Sequence, residues 1–322
     1  MNTRRLPRLG WDLSEVGYGM WGMGGWTGSD DAESAAALDR AVALGCNFFD
    51  TAWAYGEGRS ERLLGDLVRR HAGQRLLTAT KVPPKDRVWP GKGTTPVSQV
   101  FPYEHIIDYT DRSLQNLGTD AIDLQQLHVW DDSWAEDDGW KRAVEDLKRA
   151  GKIRAFGISV NRWEPDNVLH ALDTTLVDAV QVVYNIFDQA PEDLLFDVCA
   201  REGIGVIARV PFDEGSLTGT LTHDARWPDG DFRNIYFQPL KLAETLVRVE
   251  PLKALAAGWG EPLPSVALRF ILAHKAVTTV IPGMRAMRNV EANLSVSGKP
   301  MPAEQVAALR AFRWDRKPDF RP

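Results

Sequence analysis

Four residues able to hold or move a proton stand at or just beyond the ends of apolar runs: Asp50, Tyr55, Lys81 and His128. Asp50 belongs to Phe48-Phe49-Asp50-Thr51, with Tyr55 shortly after it; Lys81 ends Ala79-Thr80-Lys81, and His128 ends Gln126-Leu127-His128. Later runs end in Ser159 and Asn161, in Gln181 and Asn185, and in Arg209. A tyrosine with its ordinary pKa of about 10 is a poor acid or base at neutral pH. A lysine ammonium beside it favours the phenolate, and a buried aspartate keeps that lysine charged and oriented. A neutral histidine can donate a hydrogen bond to an oxygen that is gaining charge. Together these are the parts of an acid that protonates a carbonyl oxygen as its carbon receives a hydride. Singly, each has a plainer reading. Asp50 and Lys81 can be a structural ion pair, His128 a core histidine, and Lys81 a Schiff-base nucleophile. An aspartate beside Lys81 holds the amine protonated, the wrong state for that nucleophile. The other histidines (His71, His105, His170, His223, His274) fall on expected helices or loops without partners, and no His or carboxylate pair has metal-ligand spacing, so no metal is expected.

Such residues cooperate only if the fold brings the ends of the runs together. Eight mostly apolar runs read as strands covered on both faces: Val16–Met20, Cys46–Thr51, Leu76–Val82, Ile122–His128, Ala155–Ser159, Ala179–Tyr184, Gly205–Val210 and Thr278–Ile281. Helical periodicity lies between them. Asp31–Leu44 carries Ala35, Leu38 and Val42 on one face. Ser60 is expected to cap a helix burying Leu63, Leu64, Leu67 and Val68. Ile106, Ile107, Thr110, Leu114 and Leu117 precede Gly118; Val144 and Leu147 precede Gly151; Leu194, Leu195 and Val198 precede Gly203. Leu263–Ala273 and Ala303–Phe312 complete the series. Strands alternating with helices leave an open doubly wound sheet or a closed (β/α)₈ barrel. The count of eight favours the α/β barrel, and no Gly-x-Gly-x-x-Gly turn follows the first strand, as an open dinucleotide-binding sheet needs. Arg4–Asp12 reads as a hairpin plugging the barrel's bottom. Pro83–Tyr103 and Pro211–Pro239 are long connections of the kind that form functional lids. In a barrel the site lies at the C-terminal ends of the strands, which is where the polar residues fall.

The 322 residues are expected to form one unit over 1–322. With 44% hydrophobic and 25% charged residues, the chain can bury a large core, which excludes a disordered or collagen-like protein. The net charge of −6 comes without charge blocks, so neither nucleic acid nor an anionic membrane is an expected partner. Two cysteines, Cys46 and Cys199, suit a reducing compartment. The N-terminus lacks an apolar leader and no run approaches a membrane span, so the cytoplasm is the expected location. Tryptophan is abundant, and Trp21, Trp26, Trp53, Trp89, Trp130 and Trp134 all follow the first four strands. Trp21, Trp53, Trp89 and Trp130 are the candidates for contact with substrate, stacking on a sugar face or a flat ring.

The string Phe48-Phe49-Asp50-Thr51-Ala52-Trp53-Ala54-Tyr55-Gly56, with Ser60-Glu61-Arg62-Leu63-Leu64-Gly65, closely resembles the aldo-keto reductase signature. The resemblance continues in Ala79-Thr80-Lys81, Asp123-Leu124, Leu127-His128, Gly157-Ile158-Ser159-Val160-Asn161, Gln181-Val182-Val183-Tyr184-Asn185, Gly215-Ser216-Leu217-Thr218-Gly219 and Val280-Ile281-Pro282-Gly283. It runs from about residue 10 to 295 and is nearest the bacterial and channel-subunit branches. The resemblance implies that Tyr55 is the general acid, that Lys81 tunes it and Asp50 pairs with Lys81, and that His128 orients the carbonyl. It implies further that Ser159, Asn161 and Gln181 hold a nicotinamide carboxamide and that Gly215, Ser216, Leu217 and Gly219 cover the pyrophosphate. Gly283, Met284, Arg285, Asn289 and Asn293 would then grip the adenosine. Arg285 and Arg288 near a helix start suit a 2′-phosphate, which favours NADP(H) over NAD(H).

Three positions depart from the family pattern. Arg209 stands where many members stack an aromatic ring on the nicotinamide, Gly283 where many have a phosphate-binding lysine, and Ala292 where a glutamate often meets the adenine. An arginine can stack by its planar face, but it brings a charge. The expected function is therefore reduction of an aldehyde or ketone, sugar-like or cyclic, with a small carbonyl compound as partner. The alternative is a nucleotide-binding, redox-sensing regulatory subunit with slow turnover.

Overall fold

The computed structural model describes residues 1–25 and 30–315. Two short strands, β1 (Thr3–Leu6) and β2 (Trp11–Ser14), form an antiparallel hairpin. Eight parallel strands follow: β3 (Tyr18–Gly19), β4 (Phe48–Asp50), β5 (Leu77–Val82), β6 (Ile122–Leu127), β7 (Ile153–Ser159), β8 (Ala179–Val183), β9 (Gly205–Arg209) and β10 (Val277–Val280). Each pairs with the next in chain order from β3 to β10. Parallel bridges Val16 to Val280 and Gly19 to Gly283 join the two ends, so the sheet is closed. Closure there depends on glycine: a Cβ at Gly19 would lie 2.7 Å from the Ile281 carbonyl oxygen, a backbone atom that cannot step aside.

The crossovers carry α1 (Asp31–Ala43), α2 (Arg59–Arg70), α3 (Val97–Val100), α4 (Tyr103–Leu117), α5 (Asp138–Arg149) and α6 (Leu169–Asp173). They continue with α7 (Leu195–Glu202), α8 (Arg233–Tyr236), α9 (Pro239–Gly258), α10 (Leu263–Ala273), α11 (Met287–Leu294) and α12 (Ala303–Arg310). Asp30 caps α1 by accepting from the Glu33 amide, and Gly118 and Gly203 end α4 and α7 in the left-handed conformation. Ser60 does not cap α2. The helix starts after Gly58, and the Ser60 hydroxyl accepts from Thr51 Oγ1 at 2.7 Å while donating to the Met20 carbonyl at 3.2 Å. It ties the helix to the barrel mouth instead.

The main core lies between strands and helices. A second apolar cluster fills the barrel's lower interior, where Leu6 and Leu13 of the hairpin meet Phe48, Leu77, Leu124 and Ile207. The hairpin is therefore a plug, and it closes the barrel's interior at that end. Among the described residues, no helix is long and apolar enough to cross a membrane.

Candidate active site

Parallel strands point their C-terminal ends the same way, so side chains at matched register meet above the plug. Lys81 pairs in register with Gln126, Gln126 with Gly157, and Ser159 with Gln181. Asp50 closes β4 and turns inward. Lys81 Nζ donates to Asp50 Oδ1 at 2.6 Å and to the Thr51 carbonyl at 2.7 Å, with both side chains almost wholly buried. The other carboxylate oxygen, Oδ2, accepts from Gln181 Nε2 at 2.8 Å and Gln126 Nε2 at 3.1 Å. A charge pair so far from water survives only with its remaining lone pairs satisfied, and the glutamines do that. Gln126 was visible in the sequence as a polar residue inside an apolar strand, but nothing there linked it to Asp50.

Tyr55 sits on the tight loop between β4 and α2. The Gly58 amide donates to the Trp53 carbonyl at 2.7 Å and the Ser60 amide to the Tyr55 carbonyl at 3.2 Å. Gly56 follows with φ of 68°, and a Cβ there would lie 2.1 Å from the Gly24 carbonyl oxygen. Only glycine lets the loop dock, and that docking aims Tyr55 inward. Lys81 Nζ is 5.3 Å from the Tyr55 ring centroid. The His128 ring meets Tyr55 edge-on at 5.8 Å and Trp89 edge-on at 6.0 Å. His128 Nδ1 is buried and has no hydrogen-bond partner among the described residues.

These surroundings set the protonation states. Burial raises the Tyr55 hydroxyl above its ordinary value, and the charges of Lys81 and Arg209 work against that rise. Tyr55 therefore keeps its proton at neutral pH while two cations stand ready to stabilise its phenolate. Burial, then Lys81 and Arg209, hold His128 well below the usual histidine value, so its ring is neutral.

The four residues line or adjoin a cavity of about 600 Å³, within the range typical of small-molecule sites. Asp50, Tyr55, His128, Gln181 and Arg209 line it, together with Trp21, Trp89 and Phe232. A larger groove of about 1200 Å³ lies at the opposite end of the barrel, lined by Arg4, Glu15, Arg269 and Lys275, and none of the converging groups reaches it.

The remaining expected site residues divide by position. Gly215 and Gly283 also line the cavity, and a Cβ on either would meet nothing within 4 Å. Ser159 is buried at the end of β7. Asn161 is turned to the β5–α4 connection: its Oδ1 accepts from the Gly91 amide at 3.1 Å and its Nδ2 donates to the Gly91 carbonyl at 3.0 Å. Ser216, Leu217 and Gly219 lie in the turn after β9, where the Ser216 hydroxyl donates to Asp213 at 2.7 Å. Beyond β10, Met284 is buried and its carbonyl accepts from the Tyr18 hydroxyl, whereas Arg285 and Asn289 are exposed. Asn293 is buried on α11.

The tryptophans separate more sharply. Trp21 and Trp89 are half-exposed at the cavity, whereas Trp130 is fully buried against Trp134 and Trp140. Trp53 packs edge-on against Tyr109 under the Arg87 guanidinium, outside the cavity lining. Trp26 lies outside the described residues.

Arg162 is a residue the sequence gave no reason to single out. Buried beside the turn after β9, it pairs with Glu214 at 2.6 Å and Asp213 at 3.1 Å and donates to the Tyr236 hydroxyl at 2.6 Å. Asp213 and Glu214 are both left-handed, a conformation costing non-glycine residues about 1–3 kcal/mol each, and Arg162 holds them there.

A tyrosine, a buried cation–carboxylate pair beside it and a neutral histidine across a barrel mouth suit an oxidoreductase-type site at the C-terminal face of a (β/α)₈ fold. The family model for the aldo/keto reductase family matches residues 15–313, and the chain belongs to that family. It is 28% identical to "Aldo-keto reductase YhdN" of Bacillus subtilis over 94% of this chain and 91% of that one. It is likewise 28% identical to the "NADH-specific methylglyoxal reductase" of Escherichia coli, over 88% and 89%. Among solved structures, the holo form of aldo-keto reductase AKR11C1 from Bacillus halodurans superposes with a TM-score of 0.77 at 26% identity, covering 99% of both chains.

Proposed function

We propose that this chain is an NADP(H)-dependent reductase of aldehydes or ketones in which Tyr55 is the general acid. The observation that carries the reading is the convergence of Tyr55, Lys81, Asp50 and His128 on one cavity. The residues around the cavity suit a nicotinamide dinucleotide. Gly215 and Gly283 leave open backbone at its rim, and His128 Nδ1 and Arg209 Nε are buried polar atoms with no partner among the described residues. Ser159, Gln181 and Arg209 would hold the nicotinamide end, and the turn at Gly215–Gly219 the phosphates. What such a cofactor supplies is a hydride for the carbonyl carbon.

The protein's share is the proton. His128, neutral, donates to the carbonyl oxygen and orients it. As that oxygen gains charge, the Tyr55 O–H bond breaks toward it, leaving an alcohol and a phenolate. Lys81 and Arg209 stabilise the phenolate until solvent returns the proton. Trp21 and Trp89 line the cavity, as suits a sugar-like or cyclic substrate.

The NADP(H) preference rests on Arg285, exposed immediately before α11, whose first turn has no side-chain cap. Titration with NADPH and NADH, followed by tryptophan quenching, tests it. NADPH should bind tighter, and Arg285→Ala should weaken NADPH by about tenfold, equivalent to 1.4 kcal/mol, with NADH little changed. Equal affinities in the unmodified protein would refute the preference, and no binding of either would refute the function.

A further inference from the structure

Among the described residues, every charged side chain lining the cavity but one has a counter-ion. Asp50 is paired with Lys81 at 2.6 Å, Glu214 with Arg162 at 2.6 Å, and Arg233 with Asp231 at 2.7 Å. Arg209 is the exception. Among the described residues it forms no salt bridge; Nη2 donates to the Val160 carbonyl at 3.0 Å, and Nε is buried with no partner. It lines the cavity together with Tyr55 and His128, and its charge acts on both. Glu214 is the carboxylate most strongly felt by Arg209 apart from the catalytic groups, and it is committed to Arg162.

We propose that Arg209 is a specificity residue for an anionic substrate, binding a carboxylate or phosphate carried by the carbonyl compound. The inference rests on the reductase reading and adds the substrate's charge to it. A guanidinium with free N–H groups in a half-closed cavity is incomplete without an acceptor, and a planar oxyanion matches its fork. Burial, then Arg162, push the Arg209 pKa down to about 10, the mark of a cation short of compensation. An incoming anion would restore the balance. The cavity of about 600 Å³, with Trp21 and Trp89 in its lining, can take a ring bearing that anion. The same guanidinium chemistry also suits a cofactor phosphate, and competition experiments separate the two sources.

The test uses matched aldehydes, 3- and 4-carboxybenzaldehyde and their methyl esters, with benzoate as a dead-end probe on the NADPH-loaded protein. The wild type should favour at least one carboxylate over its ester by about tenfold in kcat/KM, and Arg209→Met should lose that preference. Benzoate should compete with aldehyde, and its binding by calorimetry should weaken about tenfold in the variant, a change of 1.4 kcal/mol. Arg209→Lys, which keeps the charge but not the fork, should recover part of the preference. No preference in the wild type, a preference that survives in Arg209→Met, or benzoate competing with NADPH instead of aldehyde would each overturn the proposal. Absence of turnover on the esters as well would implicate the reductase reading itself, and benzoate binding would still decide the anion site. If Arg209→Met does not fold, the wild-type ester comparison and benzoate competition stand alone.

Discussion

Stability and activity should separate at the Asp50–Lys81 pair. Lys81→Met leaves a carboxylate at Asp50 with only the amide donors of Gln126 and Gln181, and Asp50→Asn leaves an ammonium on the Thr51 carbonyl. Breaking a buried pair from one side costs about 3–5 kcal/mol. With an unfolding entropy of about 2.1 cal/mol/K per residue over 322 residues, each single variant should lose about 4–7 °C in Tm. The double variant removes both charges, and its asparagine still offers an oxygen to the glutamines. It should be more stable than the summed singles by about 3 kcal/mol or more. Activity should not follow, because the cation beside Tyr55 is gone where Lys81 is replaced and has lost its orienting carboxylate in Asp50→Asn. All three variants should lose about 100-fold or more in turnover. Urea unfolding by tryptophan fluorescence gives the stabilities and nicotinamide absorbance the rates. Additive destabilisation in the double variant, or a single variant with unchanged stability, would refute the buried-pair account.

His128 gives a pH prediction with a definite sign. Its folded pKa lies well below the ordinary histidine value of about 6.5, so below that pH the unfolded chain takes up a proton that the folded one does not. Stability is therefore full above about pH 6.5 and falls as the solution is acidified, by up to about 1.4 kcal/mol per pH unit from this group. His128→Asn should show a shallower loss between pH 7.5 and 5.5 in urea titrations, and an unchanged slope would count against it. Arg162→Met releases Asp213 and Glu214, so nucleotide affinity should fall by about tenfold, or 1.4 kcal/mol. Calorimetric titration with wild-type affinity would show that the turn after β9 needs no such clasp.

Much of the barrel was legible because strands buried on both faces are written as continuous apolar runs. The ends were less so: Val16–Met20 shrinks to Tyr18–Gly19, since Val16 is held only by the bridge that closes the barrel. The twenty-residue α9 was missed within the stretch after β9. It carries leucine and valine almost all round, with Leu240 and Val247 exposed, and Pro251 in its interior reads as a break. Ser60 looked like a cap because its type and place suit one; its real partners, Thr51 and Met20, are tertiary. At the site, Asp50, Tyr55, Lys81 and His128 were visible as polar ends of apolar runs. Arg162 and the commitments of Asn161 and Trp130 were not, because each depends on which loop folds back over which strand. The tryptophans show the same limit: position after a strand places Trp21 and Trp130 alike, yet one lines the cavity and the other lies in the core.

The central claim is that Tyr55 delivers the proton. Tyr55→Phe removes one hydroxyl from a ring that already packs against His128. Cofactor titration and turnover should be measured on the same preparation. The account predicts NADPH binding within about twofold of wild type and a rate lower by about 10²–10⁴. Turnover close to wild type in a protein that binds the cofactor normally would contradict it.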